Sequence, residues 1–145
     1  ENASYQYIVV PNVSEQEIIE TCSNNRHTEI ISNSADIQAV KSNKLGICQM
    51  AFYRAGEIEI SKGYSFRMES QGMAMLKMQG NRIKELSLSD PSRKLGRIMV
   101  TVLGIYNITG DSIVAYPQIN QNSTLIIADL PQDVYSGKSV TIKLE

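Results

Sequence analysis

A chain of 145 residues, 42% apolar and 20% charged, fits one domain with a single buried core. Its formal net charge of −1 gives no long-range attraction to nucleic acid or to an anionic membrane. No apolar run approaches the ~18 residues of a membrane-spanning helix.

The N-terminal stretch "ENASYQYIVV" has neither a basic start nor a signal-type apolar run, and it lacks an initiator Met. It is expected to belong to a mature protein or to a piece of a longer one. In "SYQYIVVP", Tyr5, Tyr7 and Val9 alternate with Ile8 and Val10, which predicts a strand ended by Pro11. "VSEQEIIETC" is the one helix start. Ser14 can cap, Glu17 can close a capping box, and Val13 can staple against Ile18. The helix is short, about 14–24, because "SNNRH" follows with turn chemistry.

Strands are expected from there on. "TEII", "IQAV" and "LGICQMAFY" come first, separated by turn residues. In "EIEI", Ile58 and Ile60 share one face while Glu57 and Glu59 point outward to solvent. "YSFRME" puts Tyr64, Phe66 and Met68 together, and "MAMLKMQGNRIKELSLSDP" reads as a hairpin turning at Gly80-Asn81. "GRIMVTVLGIYNI" is dense enough in β-branched residues to suit a strand covered on both faces. "DSIVAYP", "STLIIADLP" and "SVTIKL" complete an all-β chain, an antiparallel β-sandwich with one short N-terminal helix.

Catalytic chemistry is sparse. His27 is the only histidine and lies in a polar stretch, where a solvated loop residue competes with a general base. Cys22 and Cys48 form neither a metal motif nor a disulfide framework; two buried free thiols are expected, with a single bridge between them as the alternative. No catalytic residue and no metal ligand set is assigned. Met68, Met73, Met75, Met78 and Met99 suit core filling, with a Met-rich groove as the alternative. The run "RKLGR" supplies Arg93, Lys94 and Arg97, which can contact sulfate or carboxylate on an acidic polysaccharide or serve as ordinary loop cations. Lys41 and Lys44 form a second small basic cluster.

Several strings share an order with a known family. "YQYIVVPNVS" is similar to a Tyr-x-Tyr-x-(apolar)-x-Pro strand and exit, and "EIISNSADIQAVKSNKLGICQMAFYRAG" to a segment ending in a Phe-aromatic-x-Ala-Gly turn. "LSLSDPS" matches a Ser-Asp-Pro-Thr/Ser motif, and "GKSVTIKL" a terminal strand. In this order, from Tyr5 to Leu144, the chain resembles the C-terminal region of polysaccharide lyase family 8: the chondroitin sulfate, hyaluronan and xanthan lyases of bacteria, and among them the Bacteroidetes type.

The resemblance implies a parent enzyme with an N-terminal α/α-toroid and a central β-domain, acting by β-elimination beside a uronic acid. In the family an Asn neutralises the carboxylate, Tyr or His takes the C5 proton, and Arg and Glu assist. None of these maps onto a position here. This chain is therefore expected to be the non-catalytic C-terminal sandwich, with residues 1–28 bridging from the central domain and 29–145 forming the sandwich. The resemblance further implies a secreted or periplasmic location. No cofactor is visible in this chain, although a divalent cation such as calcium can serve the parent. Packing and turns account for the specific strings: "IQAV" and "AFY" fill the core, and Asn33, Gly46 and Gly56 make turns. Acidic polysaccharide is the alternative partner; nucleic acid and membrane are not expected.

Overall fold

The computed structural model describes residues 5, 7, 9–23, 28–108 and 113–145. A helix α1 (Glu15–Ser23) precedes eleven strands: β1 (Thr28–Asn33), β2 (Ile37–Ser42), β3 (Ile47–Phe52), β4 (Gly56–Ser61), β5 (Tyr64–Met68), β6 (Gly72–Gln79), β7 (Arg82–Ser89), β8 (Arg97–Leu103), β9 (Ile113–Gln118), β10 (Ser123–Asp129) and β11 (Val140–Lys143). They form two antiparallel sheets, a six-stranded one in the order β1-β2-β3-β6-β7-β11 and a five-stranded one in the order β4-β5-β8-β10-β9. The chain passes between the sheets in pairs or threes, so most sheet neighbours are joined by short turns. This is the antiparallel sandwich that the alternation predicts.

The period of two decides which side chains enter the core. Cys48, Met50 and Phe52 of β3 face Phe66 and Met68 of β5, with Leu76, Leu86 and Leu88 beside them. Phe66 is fully buried and lies 5.9 Å from Phe52, ring centre to ring centre. Burying a side chain of that size contributes about 2–3 kcal/mol. Glu57 and Glu59 alternate outward, as expected. The β6–β7 hairpin turns at Gly80-Asn81, also as expected. Gly46, in the turn before β3, takes φ +63, and a Cβ there would lie 2.5 Å from the Met78 carbonyl oxygen. The opposite hydrogen bond, Met78 N–H to Gly46 C=O, is 2.6 Å long.

Some expectations fail. β8 is not covered on both faces: Ile98, Val100 and Val102 are fully buried, whereas Met99 is 40% exposed. Its outer face reads as apolar because Met99 and Thr101 sit opposite Ile127 and Leu125, and such neighbours shield one another without a covering layer. The methionines divide likewise. Met68 is in the core and Met78 packs against it, but Met73 and Met99 face outward. Cys48 is buried and its thiol is pushed up to about 11 by that burial, whereas Cys22 is exposed on α1. Both are free. Asn33 closes β1 and Gly56 opens β4, neither with a positive φ; at Gly56 the constraint is space, since a Cβ would lie 3.0 Å from Ile37 Cδ1.

The N-terminal segment differs from the sandwich. Among its described residues, Tyr5, Tyr7, Val9 and Val10 belong to no strand, contrary to the alternation. A strand needs a neighbour to accept its backbone bonds, and neither sheet takes in these described residues as a further strand. The helix start is as expected: Ser14 N–H donates to Glu17 Oε2 (2.7 Å), and Glu17 N–H donates back to Ser14 Oγ (3.4 Å). No residue of α1 is buried. The turn after α1 and His27 lie outside the described residues.

Candidate functional site

Antiparallel pairing places the turns at two ends of the sandwich. One end carries the β7–β8 connection, residues 90–96, beside residues 130–139 between β10 and β11. The other carries the β4–β5, β6–β7 and β9–β10 turns together with residues 104–108 after β8. Each end gathers polar groups for a different physical reason.

At the first end Asp90 organises the "SDPS" turn. It is 2% exposed, and its carboxylate accepts backbone N–H groups from Ser92 (2.9 Å), Lys94 (2.8 Å) and Leu95 (2.8 Å). Burial alone raises the pKa of this carboxyl. The hydrogen bonds from Ser92, Leu95 and Lys94 outweigh it and hold the group below its ordinary value. The bend throws Arg93 into a left-handed conformation, φ 60, with its stem against Gly137. Arg93 and Lys94 are exposed and, among the described residues, pair with no carboxylate. Arg97 differs: its Nε donates to Asp129 Oδ1 at 2.6 Å. Of the three cations singled out in the sequence, two therefore stand free on one turn and the third is tied down.

Two clefts open elsewhere. A shallow groove of about 450 Å³ crosses the outer face of the five-stranded sheet, lined by Glu57, Arg67, Glu69, Gln118, Ser123 and Leu125 among others. Arg67 is paired with Glu69 at 2.7 Å, so the groove is acidic on balance and repels anions.

The second cleft, about 410 Å³, lies at the far end of the sandwich. Its floor is the pair Tyr64 and Tyr106, whose hydroxyls are 2.8 Å apart. Tyr64 Oη donates to the Leu103 carbonyl (2.7 Å), and Tyr106 Oη accepts from Ile83 N–H (3.2 Å). With its own proton committed to Leu103, Tyr64 Oη can only accept from Tyr106, which fixes the direction of the whole chain. Burial, then the Tyr106 hydrogen bond, raises the Tyr64 pKa, against a small opposing effect of Arg82. The rim carries Lys62, Asn81, Arg82 and Asn122. Tyr106 holds its place because the Thr124 hydroxyl accepts its N–H (3.0 Å) and donates to Gly104 C=O (2.8 Å). Gly104 has φ +103, and a Cβ there would lie 2.9 Å from the Tyr106 ring.

The sequence singled out neither Lys62 and Arg82 nor the tyrosine pair. Tyr64 and Tyr106 are 42 residues apart, and only the pairing of β5 with β8 brings them together. Tyr64 was legible as a core residue; its hydroxyl partner was not. Among the described residues no three His, Cys, Asp or Glu side chains come together as a metal-ligand group.

Comparison with known proteins gives this architecture a context. Residues 29–99 match the family model described as "Polysaccharide lyase family 8, C-terminal beta-sandwich domain". The chain is 24% identical over 144 residues to chondroitinase-AC of Pedobacter heparinus, covering 99% of this chain and 18% of that protein. Among solved structures, the xanthan lyase of Paenibacillus superposes with a TM-score of 0.73 at 19% identity, covering 93% of this chain and 12% of the other. The chondroitin AC lyase of Streptomyces coelicolor A3, solved with chondroitin sulphate, gives 0.67 at 14% identity, covering 93% and 17%. A chondroitinase AC lyase studied as enzyme–oligosaccharide complexes gives 0.67 at 18%, covering 89% and 17%. At these identities the structural likeness is one of fold. The chain spans less than a fifth of each of these larger proteins.

Proposed function

This chain carries the C-terminal β-sandwich domain of polysaccharide lyase family 8, and from that premise we propose that it is a non-catalytic supporting domain of a lyase acting by β-elimination on a glycosaminoglycan-type polysaccharide. The observation that carries the reading is the state of Tyr64. Elimination beside a uronic acid needs a base poised to take up a proton. The tyrosine at the end cleft is arranged the other way: its proton is committed to Leu103 and burial disfavours the phenolate. The strings that carry the family likeness are likewise used internally. Asp90 spends its carboxylate on its own turn, Ala39 and Phe52 are core, and Gln38 accepts from the Tyr53 hydroxyl at 3.2 Å.

The partners in this reading are the α/α-toroid and the central β-domain of the parent chain. Residues 1–28 bridge to the central domain and 29–145 make the sandwich. Tyr5, Tyr7, Val9 and Ile19 support the bridge, because each exposes more than half its surface and gains by leaving water against a neighbour. The parent works outside the cytoplasm, secreted or periplasmic, and a divalent cation such as calcium can serve it.

A second role is favoured by Arg93 and Lys94, two cations that pair with no carboxylate among the described residues and stand on a hydrogen-bonded turn. With Arg97 they form an accessory contact for acidic polysaccharide, whose affinity falls with salt and on changing all three to Ala. The main reading is tested by incubating the purified chain with chondroitin sulfate and with hyaluronan and following the ultraviolet absorbance of unsaturated uronate. The folded chain releases none; product formation would contradict the supporting role.

A further inference from the structure

The two clefts carry opposite charge. Among the described residues lining the end cleft there is no carboxylate, while Lys62 and Arg82 stand on its rim. The Glu59 carboxylate, beside the β4–β5 turn, accepts the Gly63 N–H at 2.6 Å. Arg82 lies over the Tyr106 ring, its guanidinium carbon 5.6 Å from the ring centre, which limits the conformations it must give up on binding. Asn81 and Asn122 add side-chain amides able to meet hydroxyls. The tyrosine hydroxyls beneath are satisfied among themselves and compete with no ligand, while Leu103 and the 40% exposed Ile105 offer an apolar wall. A cleft of about 410 Å³ falls within the size range of small-molecule sites.

We infer that this cleft binds the carboxylate or sulfate of an acidic saccharide. Lys62 and Arg82 meet the oxyanion, the asparagine amides meet ring hydroxyls, and Leu103 and Ile105 pack on ring C–H groups. The choice of a saccharide as carrier rests on the proposed parent lyase; the anion preference rests on the cleft alone. The site is distinct from the Arg93–Lys94 turn, which lies at the opposite end of the sandwich.

The test follows backbone amide resonances of the whole chain by NMR during titration with three probes: a chondroitin sulfate tetrasaccharide, the same tetrasaccharide desulfated and carboxyl-reduced, and sodium sulfate. The acidic tetrasaccharide should shift the Gly63, Gly104 and Asn122 amides, with affinity falling as salt rises. The neutral form should bind at least about tenfold more weakly, the loss expected for one charge-assisted hydrogen bond. Arg82→Gln and, separately, Lys62→Gln should each reproduce about that loss; Lys62 is exposed, so its variant keeps the fold. Equal binding of the acidic and neutral forms would overturn the inference. So would sodium sulfate binding as tightly as the tetrasaccharide, shifts confined to residues 90–97, or no shift at low salt. None of these results bears on whether the chain turns over polysaccharide, which is read separately.

Discussion

The two ends of the sandwich solve one problem in opposite ways. At each, a polar group lies buried next to cations at the surface. Asp90 is a charge, and it is compensated by bending its own turn until three backbone amides point at it. Tyr64 is neutral, and it is compensated by a second tyrosine and a carbonyl from distant strands. The first solution is local and closes its end, leaving Arg93 and Lys94 on a convex turn. The second is long-range and leaves a hollow where the turns fail to meet. A local device fixes a loop; a long-range one can shape a cleft.

Breaking the first end should have the largest effect. Asp90→Ala leaves the Ser92, Lys94 and Leu95 amides without their acceptor, and a loss of about 3 kcal/mol is expected in urea unfolding. Tyr64→Phe breaks the second end more gently. It orphans the Leu103 carbonyl and takes away the acceptor of the Tyr106 proton, at a cost of about 1–2 kcal/mol. Tyr106→Phe in the Tyr64→Phe background should cost about a further 1 kcal/mol, since the buried Ile83 N–H then loses its acceptor.

Acid separates the ends. The folded-state pKa of Asp90 is depressed, so its stabilisation is fully present above the unfolded value of about 3.9 and is lost as pH falls through the folded one. Asp90→Asn should therefore flatten the fall in stability below about pH 4, whereas Tyr64→Phe should leave its slope unchanged. The smallest effect is expected at neither end. Ser14→Ala removes the cap that holds Glu17, and α1 buries no residue. Helical NMR shifts should weaken while the urea midpoint of the sandwich stays put.

This contrast also explains what could be read in advance. Strand positions followed from alternation in β4, β5, β6 and β7, because one face of each strand meets the core. Density in β-branched residues misled at β8, where Met99 on the open face is as apolar as Ile98 beneath it. Alternation misled at Tyr5, Tyr7, Val9 and Val10, which belong to no strand among the described residues. The Arg93–Lys94–Arg97 run was visible as charge, but Asp129 opposite Arg97 was not, since the pair is joined only by the β8–β10 register. The "SDPS" string was recognisable as a motif, and the geometry supplies its reason: the Asp is an internal acceptor for the turn it begins. The end cleft left no trace in any one string, being assembled from four separate stretches of chain.

Support for a larger enzyme is the central claim, and the direct measurement is thermal unfolding of the full-length lyase with and without residues 29–145. The account predicts that the shortened protein melts at a lower temperature while its folded fraction keeps its rate of elimination. An unchanged midpoint, or chemistry lost from a shortened protein that stays fully folded, would contradict it.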